Sequence, residues 1–544
     1  MNRRNFVSTM GLSALLAGRS ALASAPGSAR SALGRASAGG TEFDPVERSI
    51  ADLQMAQARG LATAESLTGS YLQRIELYNR QGPMLGAVLA VNPNALSAAR
   101  ALDRERAAGK LRGPLHGIPI LLKDNIETGD PLLPTTAGSL ALIYATHSQD
   151  SPVAARLRAA GAVVLGKANL SEWANFRSTH STSGWSGVGG QTRSPYHMSR
   201  NPSGSSAGPA VATSANLCAA ALGTETDGSI LAPASINGVV GLKPTHGLVS
   251  STGIVPISSR QDTAGPITRS VDDAAVLLSV MAERERSWRG IALPLEPAPR
   301  GLKLGVMAPA PSTLPKVERQ WQEWLKLLQW ESFTLVHVPT PRAWTQSGNS
   351  APSPEPSGLW DVEVEVLLSD FKADINAYLA RLEGNKDVTV RTLADLIEFN
   401  REHAEREMPY FGQDYFLQAE AAVPRGSAAY QKALARLVDL ADTEGLAALF
   451  NQYGVDALVA PGNGPADLID HILGDRHESS VGWPAMCSAA AIAGYPSLTV
   501  PAGMVDGLPV GIAFVAPRFG EDVLLRVGRR FELAMEGRRP PVLS

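Results

Sequence analysis

The sequence predicts an α/β fold, because short apolar runs bounded by glycine or proline alternate with segments that have the apolar spacing of helices. Short uninterrupted apolar runs are typical of strands that are buried on both faces of a sheet. The segments that predict strands are 118–122, 162–165, 239–242, 302–306, 457–459, 497–500 and 510–514.

Helices are predicted before and between these strands. The amino-terminal segments 46–58, 64–79 and 95–108 carry apolar residues at helical spacing, and the third also has Arg/Glu pairs. The segments 152–160 and 271–281 have the same spacing and separate predicted strands. The alternation of the two patterns is what indicates an α/β architecture.

A helical insertion is predicted in the second half of the chain. Residues 308–452 hold long amphipathic stretches, which are broken by a Pro/Ser-rich loop at 340–358, and they carry no dense cluster of reactive side chains. We expect this segment to shape a cleft. The remaining predicted parts are core motifs at 105–283 and 455–530, within a domain at 44–536, and a tail at 537–544.

Length and composition allow a large core and exclude some partners. At about 150 residues per domain, 544 residues with 44% hydrophobic composition permit two to four domains or one large domain with insertions. Lys and Arg total 49 against 52 Asp and Glu, so no broad basic surface is available for nucleic acid. Two cysteines, Cys218 and Cys487, exclude a disulfide framework and a cysteine-rich zinc site, although one disulfide stays open.

The first 25 residues have the order of a twin-arginine export signal. Arg3 and Arg4 precede a mildly apolar run at 9–17 and an Ala-x-Ala sequence at 23–25. A disordered basic tail is the alternative. Residues 26–43 predict a disordered linker, because they are rich in Ala, Gly and Ser without an apolar period. We therefore expect a periplasmic or secreted protein without a membrane anchor after cleavage, since no other stretch reaches the roughly 18 apolar residues of a membrane span.

The densest chemical signal lies in a Gly/Ser-rich region at 178–253. Two glycine-flanked serines, Ser205 and Ser229, lie 229 − 205 = 24 residues apart. Glycine permits turns that expose a nucleophile, and it lets successive backbone N–H groups converge on an oxyanion. On composition alone, a pair of solvated turns is the favoured interpretation. A phosphate-binding loop is disfavoured, because no Gly-Lys-Ser/Thr follows either turn.

A serine nucleophile needs a base, and histidine is the usual one. Nine histidines occur, and those nearest the Gly/Ser-rich region are His116, His180, His197 and His246. None accompanies a G-x-S-x-G elbow, so we expect surface or supporting roles for them. No H-E-x-x-H or similar spacing is present in the sequence, which disfavours a metal centre. Lys123 ends an apolar run, and taken alone such a lysine is expected to extend its ammonium to water.

Four segments together resemble the amidase signature family. They are GPLHGIPILLKDNI at 113–126, GKANLSEWANF at 166–176, the Gly/Ser segment at 202–230 and GVVGLKPTHGLVS at 238–250. The resemblance covers about residues 44–536 and implies one large α/β domain, with a mixed central sheet covered by helices on both faces. The stretches GTETDGSI at 223–230, NLSEWANFR at 169–177 and SRQDTAGPIT at 259–268 are most similar to bacterial peptide amidases, which remove the carboxy-terminal amide from peptides.

The resemblance implies a catalytic triad by position. Ser229 would be the nucleophile, Ser205 a bridging serine preceded by a cis peptide bond, and Lys123 the base. Lys123 must be neutral to accept a proton, so burial would have to lower its pKa from about 10.4. Ser205 would relay the proton from Ser229 to Lys123.

An oxyanion site is implied at the turn that carries the nucleophile. The backbone N–H groups of Thr226, Asp227, Gly228 and Ser229 would hold the tetrahedral oxyanion, and loss of one such donor costs on the order of 3 kcal/mol. Ammonia or an amine would leave, and water would then hydrolyse the acyl-enzyme. This chemistry requires no cofactor.

Several positions depart from the family pattern. Ser203 and Ala207 stand where glycine is common, and Pro209 stands where serine is common but can occupy the first turn of a helix. Asp227 replaces glycine beside the oxyanion. A carboxylate pointing inward would oppose negative charge, so we expect its side chain to point away or to meet a positive substrate group. A turn residue bonded to local backbone is the alternative.

The other matched positions have less specific expectations. Ala174 and Asn175 fall where family members contact substrate, although loop or helix-start roles are equally open. Glu225 and Asp124 are expected to support the triad, and Cys487 is expected in the core.

These observations favour hydrolysis of peptide amides or other primary carboxamides. An aryl-acylamide or cyclic-amide hydrolase of the same family stays open, because the cleft and the insertion determine substrate choice. The amidotransferase component that serves glutaminyl or asparaginyl transfer RNA conflicts with the export signal, and an inactive binding module conflicts with an intact triad. The expected partner is a small-molecule or peptide amide, with no nucleic acid, and the expected state is a monomer or homodimer.

Overall fold

The computed structural model describes residues 43–283, 290–296, 298–309, 313–345, 358–475 and 484–543. The helices and strands given below belong to the unit Pro45–Ser544. The predicted export signal at 1–25, and the predicted linker except Phe43, lie outside the described residues.

Among the described residues, eleven strands form one sheet, and two short strands form a separate hairpin. The strands are β1 (Val88–Val91), β2 (Pro119–Lys123), β3 (Val163–Ala168), β4 (Trp185–Ser186), β5 (Gly190–Gln191), β6 (Ala220–Glu225), β7 (Val240–Lys243), β8 (Thr263–Thr268), β9 (Lys303–Val306), β10 (Thr334–His337), β11 (Ala457–Pro461), β12 (Ser497–Val505) and β13 (Leu508–Val515). The large sheet runs β1-β3-β2-β6-β8-β7-β12-β13-β11-β9-β10. It is mixed, because β2 pairs in parallel with β3 and β6 whereas β6 pairs antiparallel with β8.

Helices connect and surround the strands. They are α1 (Ile50–Ala58), α2 (Ala64–Arg74), α3 (Ala95–Ala107), α4 (Pro152–Ala159), α5 (Ala207–Ser214), α6 (Leu231–Ile236), α7 (Val271–Met281), α8 (Pro315–Trp330), α9 (Arg342–Thr345), α10 (Leu359–Ala380), α11 (Leu393–Glu402), α12 (Ala404–Glu407), α13 (Asp414–Ala421), α14 (Ala428–Val438), α15 (Ala447–Tyr453), α16 (Ala485–Ala493) and α17 (Glu521–Met535). Short 3-10 segments occur at Leu140–Leu142 and Glu172–Asn175, and π-helical turns occur at Ile75–Arg80 and Asp439–Leu446.

Local sequence explains where several helices begin. The Ser49 hydroxyl accepts a hydrogen bond from the backbone N–H of Asp52, whose carboxylate accepts in return from the Ser49 N–H. The Ser151 hydroxyl likewise accepts from a first-turn N–H of α4, and Pro152 takes a first-turn position that needs no N–H donor. Each cap satisfies backbone groups that the helix leaves unpaired.

The predicted α/β class is confirmed, and each of the seven predicted strands has a counterpart in the sheet. Four strands of the large sheet have no sequence-based prediction: β1, β6, β8 and β10. β6 consists of AALGTE, in which Thr224 is the one β-branched residue, and β8 consists of TAGPIT, whose strand preference is weakened by Gly265 and Pro266. Both are fully buried, so packing against neighbours overrides their weak intrinsic preference.

The segment predicted as a helical insertion, 308–452, is largely helical but also contains β10, which pairs in parallel with β9. Its longest helix, α10, has 22 residues. Leu359, Val362 and Val366 of α10 pack into one apolar cluster, whereas Leu367 and Phe371 pack into a second. The second cluster also holds Trp173 and Phe176, which follow β3, so the insertion shares a core with the sheet region.

Within the described residues, every helix is too short or too polar to cross a bilayer. The predicted tail is described as far as residue 543, and its Arg538 donates hydrogen bonds to Glu47 and to the Gly238 carbonyl. The tail is thereby tied to segments that lie far from it in sequence.

Candidate active site

Lys123 lies at the carboxyl end of β2 and is completely buried. Its ammonium nitrogen Nζ donates to Ser205 Oγ at 2.7 Å and to Thr224 Oγ1 at 2.9 Å. Thr224 belongs to β6, and since β2 and β6 run in parallel, their carboxyl ends meet at one edge of the sheet. Burial lowers the pKa of Lys123 to about 7, although the carboxyl groups of Asp262 and Glu225 oppose this shift. Lys123 is thus buried, as the resemblance to the amidase signature family implied, and does not extend to water as such a lysine taken alone would.

The chain reaches Ser205 through a conformation that few residues permit. The Gly204–Ser205 peptide bond is cis, as the family resemblance implies. A Cβ atom at Gly204 would lie too close to the Oγ atoms of Ser171 and Ser183, so a larger residue would require these side chains to move. The Ser205 carbonyl accepts a hydrogen bond from the Ser171 N–H at 3.1 Å. These contacts fix the backbone that presents the Ser205 hydroxyl to Lys123.

Ser229 lies on a tight turn between β6 and α6. Gly228 has φ +77°, a left-handed conformation that strongly favours glycine. Glu225 Oε2 accepts hydrogen bonds from the backbone N–H groups of Ile230 at 2.7 Å and Leu231 at 3.1 Å, which anchors the far side of the turn. The Ser229 carbonyl accepts from the Ser206 N–H at 3.1 Å. The turn that bears Ser229 is therefore joined directly to the residue after Ser205.

A cavity of about 370 Å³ opens at this turn. Ser229, Thr226, Asp227 and Gly228 all line it. Ala174 and Asn175, which the sequence matched to substrate-contacting positions, line it as well. The further lining residues are Phe176, Ser178, Thr179, Ser181, Ser183, Ser203, Gly204, Ala232, Ile257, Trp360, Val364, Leu367, Tyr415, Asn463, Asp475 and Ser488.

The cavity wall that includes Ala174 and Asn175 has a strained backbone. Trp173, Ala174 and Asn175 have φ values of 49°, 54° and 71°, so three consecutive non-glycine residues are left-handed. Such residues cost of order 1–3 kcal/mol each and cluster at functional sites. Asn175 Nδ2 donates to Ser183 Oγ at 3.0 Å, whereas its buried Oδ1 has no hydrogen-bond partner among the described residues. This arrangement leaves an acceptor beside the cavity.

A buried ionic cluster braces the strained turn against the insertion. Arg177 is completely buried and donates to Glu172 Oε1 at 2.8 Å and to the Glu407 carbonyl. Its guanidinium also lies over the Phe411 ring, 4.4 Å from the ring centre. Glu172 lies next to Trp173 in the chain, while Glu407 ends α12 in the insertion. Because a charge buried without a partner is costly, this cluster ties the two regions together.

Thr226 and Asp227 make different contacts within the turn that bears Ser229, which the sequence predicts as the oxyanion turn. The Thr226 hydroxyl donates to Asp262 Oδ1 at 2.6 Å. The Asp227 carboxyl faces the carboxyl group of Glu363 on α10 and the hydroxyl of Ser488 on α16. Burial raises the pKa of Asp227 to about 7, with hydrogen bonds from Ser488 and Glu363 acting against the shift. Asp227 therefore lies in the cavity wall while bonding to helices from distant segments.

The acids expected to support the triad are buried beside it. Asp124 accepts hydrogen bonds from the Thr136 hydroxyl and from Lys167 Nζ, the latter at 3.4 Å. Burial raises the pKa of Asp124, although Lys167 opposes the shift. Asn125 Nδ2 donates to Thr224 Oγ1 at 2.9 Å, the same oxygen that accepts from Lys123. These contacts fix the chain on either side of Lys123.

The histidines are far less involved in the site than the lysine. His116, expected at the surface or in a supporting position, is buried, and its Nε2 lies 3.0 Å from the Leu102 carbonyl.

Cys218 and Cys487 are both buried and free. Within the described residues, no group of three or more His, Cys, Asp or Glu side chains could hold a metal ion. Pro209 lies in the first turn of α5, as predicted.

Part of the cavity region comes from residues that no sequence motif identifies. Trp360 and Glu363 lie on α10, Tyr415 on α13 and Ser488 on α16. Asp475 accepts from the Ser183 N–H at 3.0 Å. Trp360, Glu363 and Tyr415 belong to the insertion that was expected to shape the cleft, but the sequence did not single out these residues.

Several known proteins resemble this chain over most of its length. The family model described as Amidase matches residues 66–525. A probable amidase of Arabidopsis thaliana is 38% identical over 522 residues, which cover 92% of each chain. The crystal structure of a peptide amidase from Stenotrophomonas maltophilia superposes with a TM-score of 0.82 at 42% identity, covering 92% of this chain and 99% of that one. The crystal structure of an amidase family protein from Bacillus anthracis superposes with a TM-score of 0.77 at 32% identity, covering 92% and 93%.

Proposed function

The chain belongs to the amidase family, whose members hydrolyse C–N amide bonds, and on that premise we propose that it converts carboxy-terminal peptide amides to free acids and ammonia. The observation that carries this proposal is the buried hydrogen bond of 2.7 Å between Lys123 Nζ and Ser205 Oγ, next to a cavity lined by Ser229. A neutral lysine there can accept a proton, which a solvated lysine near pH 7 cannot.

In the proposed first step, Ser229 Oγ attacks the carboxamide carbon and its proton passes through the Ser205 hydroxyl to Lys123. The carbonyl oxygen becomes an oxyanion that accepts hydrogen bonds from backbone N–H groups of Thr226, Asp227, Gly228 and Ser229. The proton then returns from Lys123 through Ser205 to the amide nitrogen, so the C–N bond breaks and ammonia leaves. The product of this step is an ester between Ser229 and the acyl group.

The second step reverses the proton path. Water attacks the ester carbon and gives a proton, through Ser205, to Lys123. Collapse of the second tetrahedral intermediate returns that proton to Ser229 Oγ and releases the carboxylic acid. Every atom comes from the amide, from water or from the three side chains, so the scheme requires no cofactor.

The peptide-amide preference is supported by similarity and by the lining of the cavity. The peptide amidase from Stenotrophomonas maltophilia is 42% identical to this chain. The cavity of about 370 Å³ has polar lining residues, which include Asn175 and Asp227, and apolar ones, which include Ile257 and Leu367. Such a cavity suits a terminal residue that presents both backbone amides and a side chain.

The test is a panel of amides given to the purified protein. Peptide amides, free amino-acid amides, anilides and cyclic amides would be compared by release of ammonia or amine, with the Ser229→Ala variant as the blank. We expect peptide amides to have the highest kcat/KM. Cleavage of anilides alone would replace the proposal with an aryl-acylamidase, and an absence of all cleavage would refute the hydrolase mechanism.

We also propose that the chain is exported by the twin-arginine route. The support is the sequence alone: Arg3 and Arg4 are followed by an apolar run and an Ala-x-Ala sequence. Replacement of both arginines by lysine preserves charge but removes the paired guanidinium groups. We expect the precursor to accumulate in the cytoplasm, as measured by fractionation and immunoblotting; unchanged export would refute this route.

A further inference from the structure

The side chain of Asp227 lies between residues of the oxyanion turn and the insertion. Its backbone lies two positions before Ser229, and both residues line the same cavity. On its other side it meets Glu363, which is completely buried on α10. Gln261 Nε2 donates to Glu363 Oε1 at 2.7 Å, and it also donates to the Thr226 carbonyl at 3.3 Å. Glu363 is therefore held in place beside Asp227 by a residue that also contacts the turn.

The two carboxyl groups share a proton unequally. Burial raises the pKa of Glu363 well above its usual range, and the negative charge of Asp227 raises it further. The hydrogen bond between them lowers the pKa of Asp227 while it raises that of Glu363, which identifies Glu363 as the proton donor. Asp227 is therefore the member of the pair that ionises more readily, and it is also the member that lines the cavity.

The described lining of the cavity supplies no cation to this charge, although the buried Lys243, which does not line the cavity, favours the charged form of Asp227. Among the described residues that line it, none is Lys or Arg, and the only carboxyl groups are those of Asp227 and Asp475. Asp475 is occupied by hydrogen bonds from the Ser183 N–H and from Asn201 Nδ2 at 2.8 Å. The carboxyl group of Asp227 instead bonds to Glu363 and Ser488, and the residue still lines the cavity. A cationic group in the cavity would therefore meet the charge of Asp227.

Aromatic side chains add a second feature that favours positive charge. Trp360 and Tyr415 line the same cavity from the insertion side. The face of an aromatic ring attracts an ammonium or guanidinium group, by roughly 0.5–1 kcal/mol at exposed sites and more where water is excluded. An acidic group together with aromatic rings in one cavity is a combination that recognises cations.

We propose that Asp227, positioned by Glu363, makes the cavity a subsite for a cationic group on the acyl part of the substrate. Amides that carry a positive charge near the scissile carbonyl would be preferred, and amides that carry a negative charge would be rejected. The group must belong to the acyl part, because a primary amide has only ammonia as its leaving group. This inference rests on the proposed amide hydrolysis and names the substrate class within it.

The same charge bears on product release. Hydrolysis converts a neutral carboxamide into a carboxylate beside Ser229, and Asp227 repels that carboxylate. The free acid should therefore inhibit the wild-type enzyme weakly. The substitution Asp227→Gly removes this charge and should allow the acid to bind more tightly.

The experiment compares substrates that differ in charge but little in shape. N-acetyl-lysinamide would be paired with N-acetyl-norleucinamide, and N-acetyl-glutamate α-amide with N-acetyl-glutaminamide, at pH 8. The ratio of kcat/KM within each pair is the readout, so a general loss of activity in a variant cancels. We expect the wild type to favour lysine over norleucine, and glutamine over glutamate, each by about tenfold.

Two variants test the assignment. Asp227→Asn removes the charge and should bring both ratios within about twofold of one. Glu363→Gln retains a hydrogen-bond donor beside Asp227 and should keep both ratios, which makes it the matched control. Two results would overturn the assignment of the charge to Asp227. One is that Asp227→Asn leaves both kcat/KM ratios unchanged, and the other is that Glu363→Gln brings the ratios as close to one as Asp227→Asn does.

The kcat/KM ratios of the wild type test the proposal by themselves, so the test does not depend on whether a variant folds. Wild-type ratios close to one would refute the cationic subsite without any variant. If the wild type instead cleaved none of the four amides and no other amide in the panel, the proposed hydrolase function itself would fail, which is a distinct outcome.

Discussion

The two walls of the cavity are built in different ways. The wall that holds Ser229, together with Lys123 and Ser205 behind it, consists of strand ends and tight turns, whose backbone groups are bonded to one another within a short distance. The wall that holds Trp360, with Glu363 behind it, belongs to a 22-residue helix, which is kept in place by side-chain packing in two apolar clusters. The proposed chemistry thus belongs to a backbone-determined region, and the proposed substrate selection belongs to the packing-determined region together with Asp227, which contacts Glu363 from the first wall.

This difference predicts how each wall responds to substitution. In the first wall, Lys123, Gly228 and Ser229 are required by backbone geometry or by the proposed proton transfer, so conservative changes there should still be severe. In the second, a changed side chain alters the shape or charge of the cavity and leaves the reactive groups intact. The expected effects therefore decrease from the reactive groups to the exposed edge of the insertion.

Removal of the nucleophile should have the largest effect. Ser229→Ala deletes the oxygen that we propose forms the acyl-enzyme, so we expect kcat to fall by about 10⁴-fold or more, as triad deletions do in serine hydrolases. Ser97→Ala on the exposed face of α3 is the control, since Ser97 is a serine in a helix away from the motif region. Activity would be measured by ammonia release. A Ser229→Ala enzyme within tenfold of wild type would show that another group attacks the amide.

The second largest effect should fall on stability, at the junction of the two walls. Arg177→Ala leaves the buried carboxyl groups of Glu172 and Glu407 without their cation, so we expect the free energy of unfolding to decrease by about 3 kcal/mol or more. Urea unfolding followed by tryptophan fluorescence would measure it. Arg401→Ala is the matched control, because Arg401 pairs with Glu398 on the exposed surface and should change stability by less than about 1 kcal/mol. Equal effects would mean that the cluster does not join the walls.

Sequence and structure agree best where local chemistry determines the outcome. The runs that became β2, β3, β7, β9, β11, β12 and β13 could be predicted because they are continuously apolar and bounded by glycine or proline. β6 could not, because an alanine-rich stretch has little strand preference of its own. It is a strand because β2 and β8 enclose it on both sides.

The same distinction applies to the candidate site. Lys123, Ser205 and Ser229 stand in motifs that resemble a known family. The structure brings Lys123 into contact with Ser205, and the N–H of Ser206 donates a hydrogen bond to the Ser229 carbonyl. Asp227 was expected to point away or to meet a positive group, but its contact with Glu363 could not be foreseen. That contact joins residues 363 − 227 = 136 positions apart in the sequence, and it depends on how α10 packs. Local patterns carry no information on such a pair.

A change of pH is expected to have a moderate effect on kcat/KM. The proposed base must be neutral, and burial lowers the pKa of Lys123 to about 7, so kcat/KM should rise with pH through this value. At pH 6 about a tenth of the plateau activity should be left, since a base with this pKa is then about 90% protonated. Asp262 and Glu225 are the carboxyl groups that face Lys123 and favour its charged form. A neutral substrate, N-acetyl-norleucinamide, separates this titration from that of Asp227.

A flat profile between pH 6 and pH 8 would contradict the role of Lys123 as the base. A profile that falls with increasing pH across this range would be more damaging, because it would require a protonated group in the rate-determining step.

The smallest effect is expected in the packing-determined wall. Trp360 lines the cavity and is 51% exposed, so Trp360→Ala removes aromatic surface without opening the core. We expect KM for peptide amides to rise by about three- to tenfold, which corresponds to the roughly 0.5–1.5 kcal/mol of an aromatic contact, while kcat changes by less than twofold. Trp330→Ala is the matched control, because Trp330 is similarly exposed at the end of α8 and does not line the cavity. If Trp360→Ala instead lowered kcat with KM unchanged, the insertion would take part in the chemical step, and the division between the two walls would be wrong.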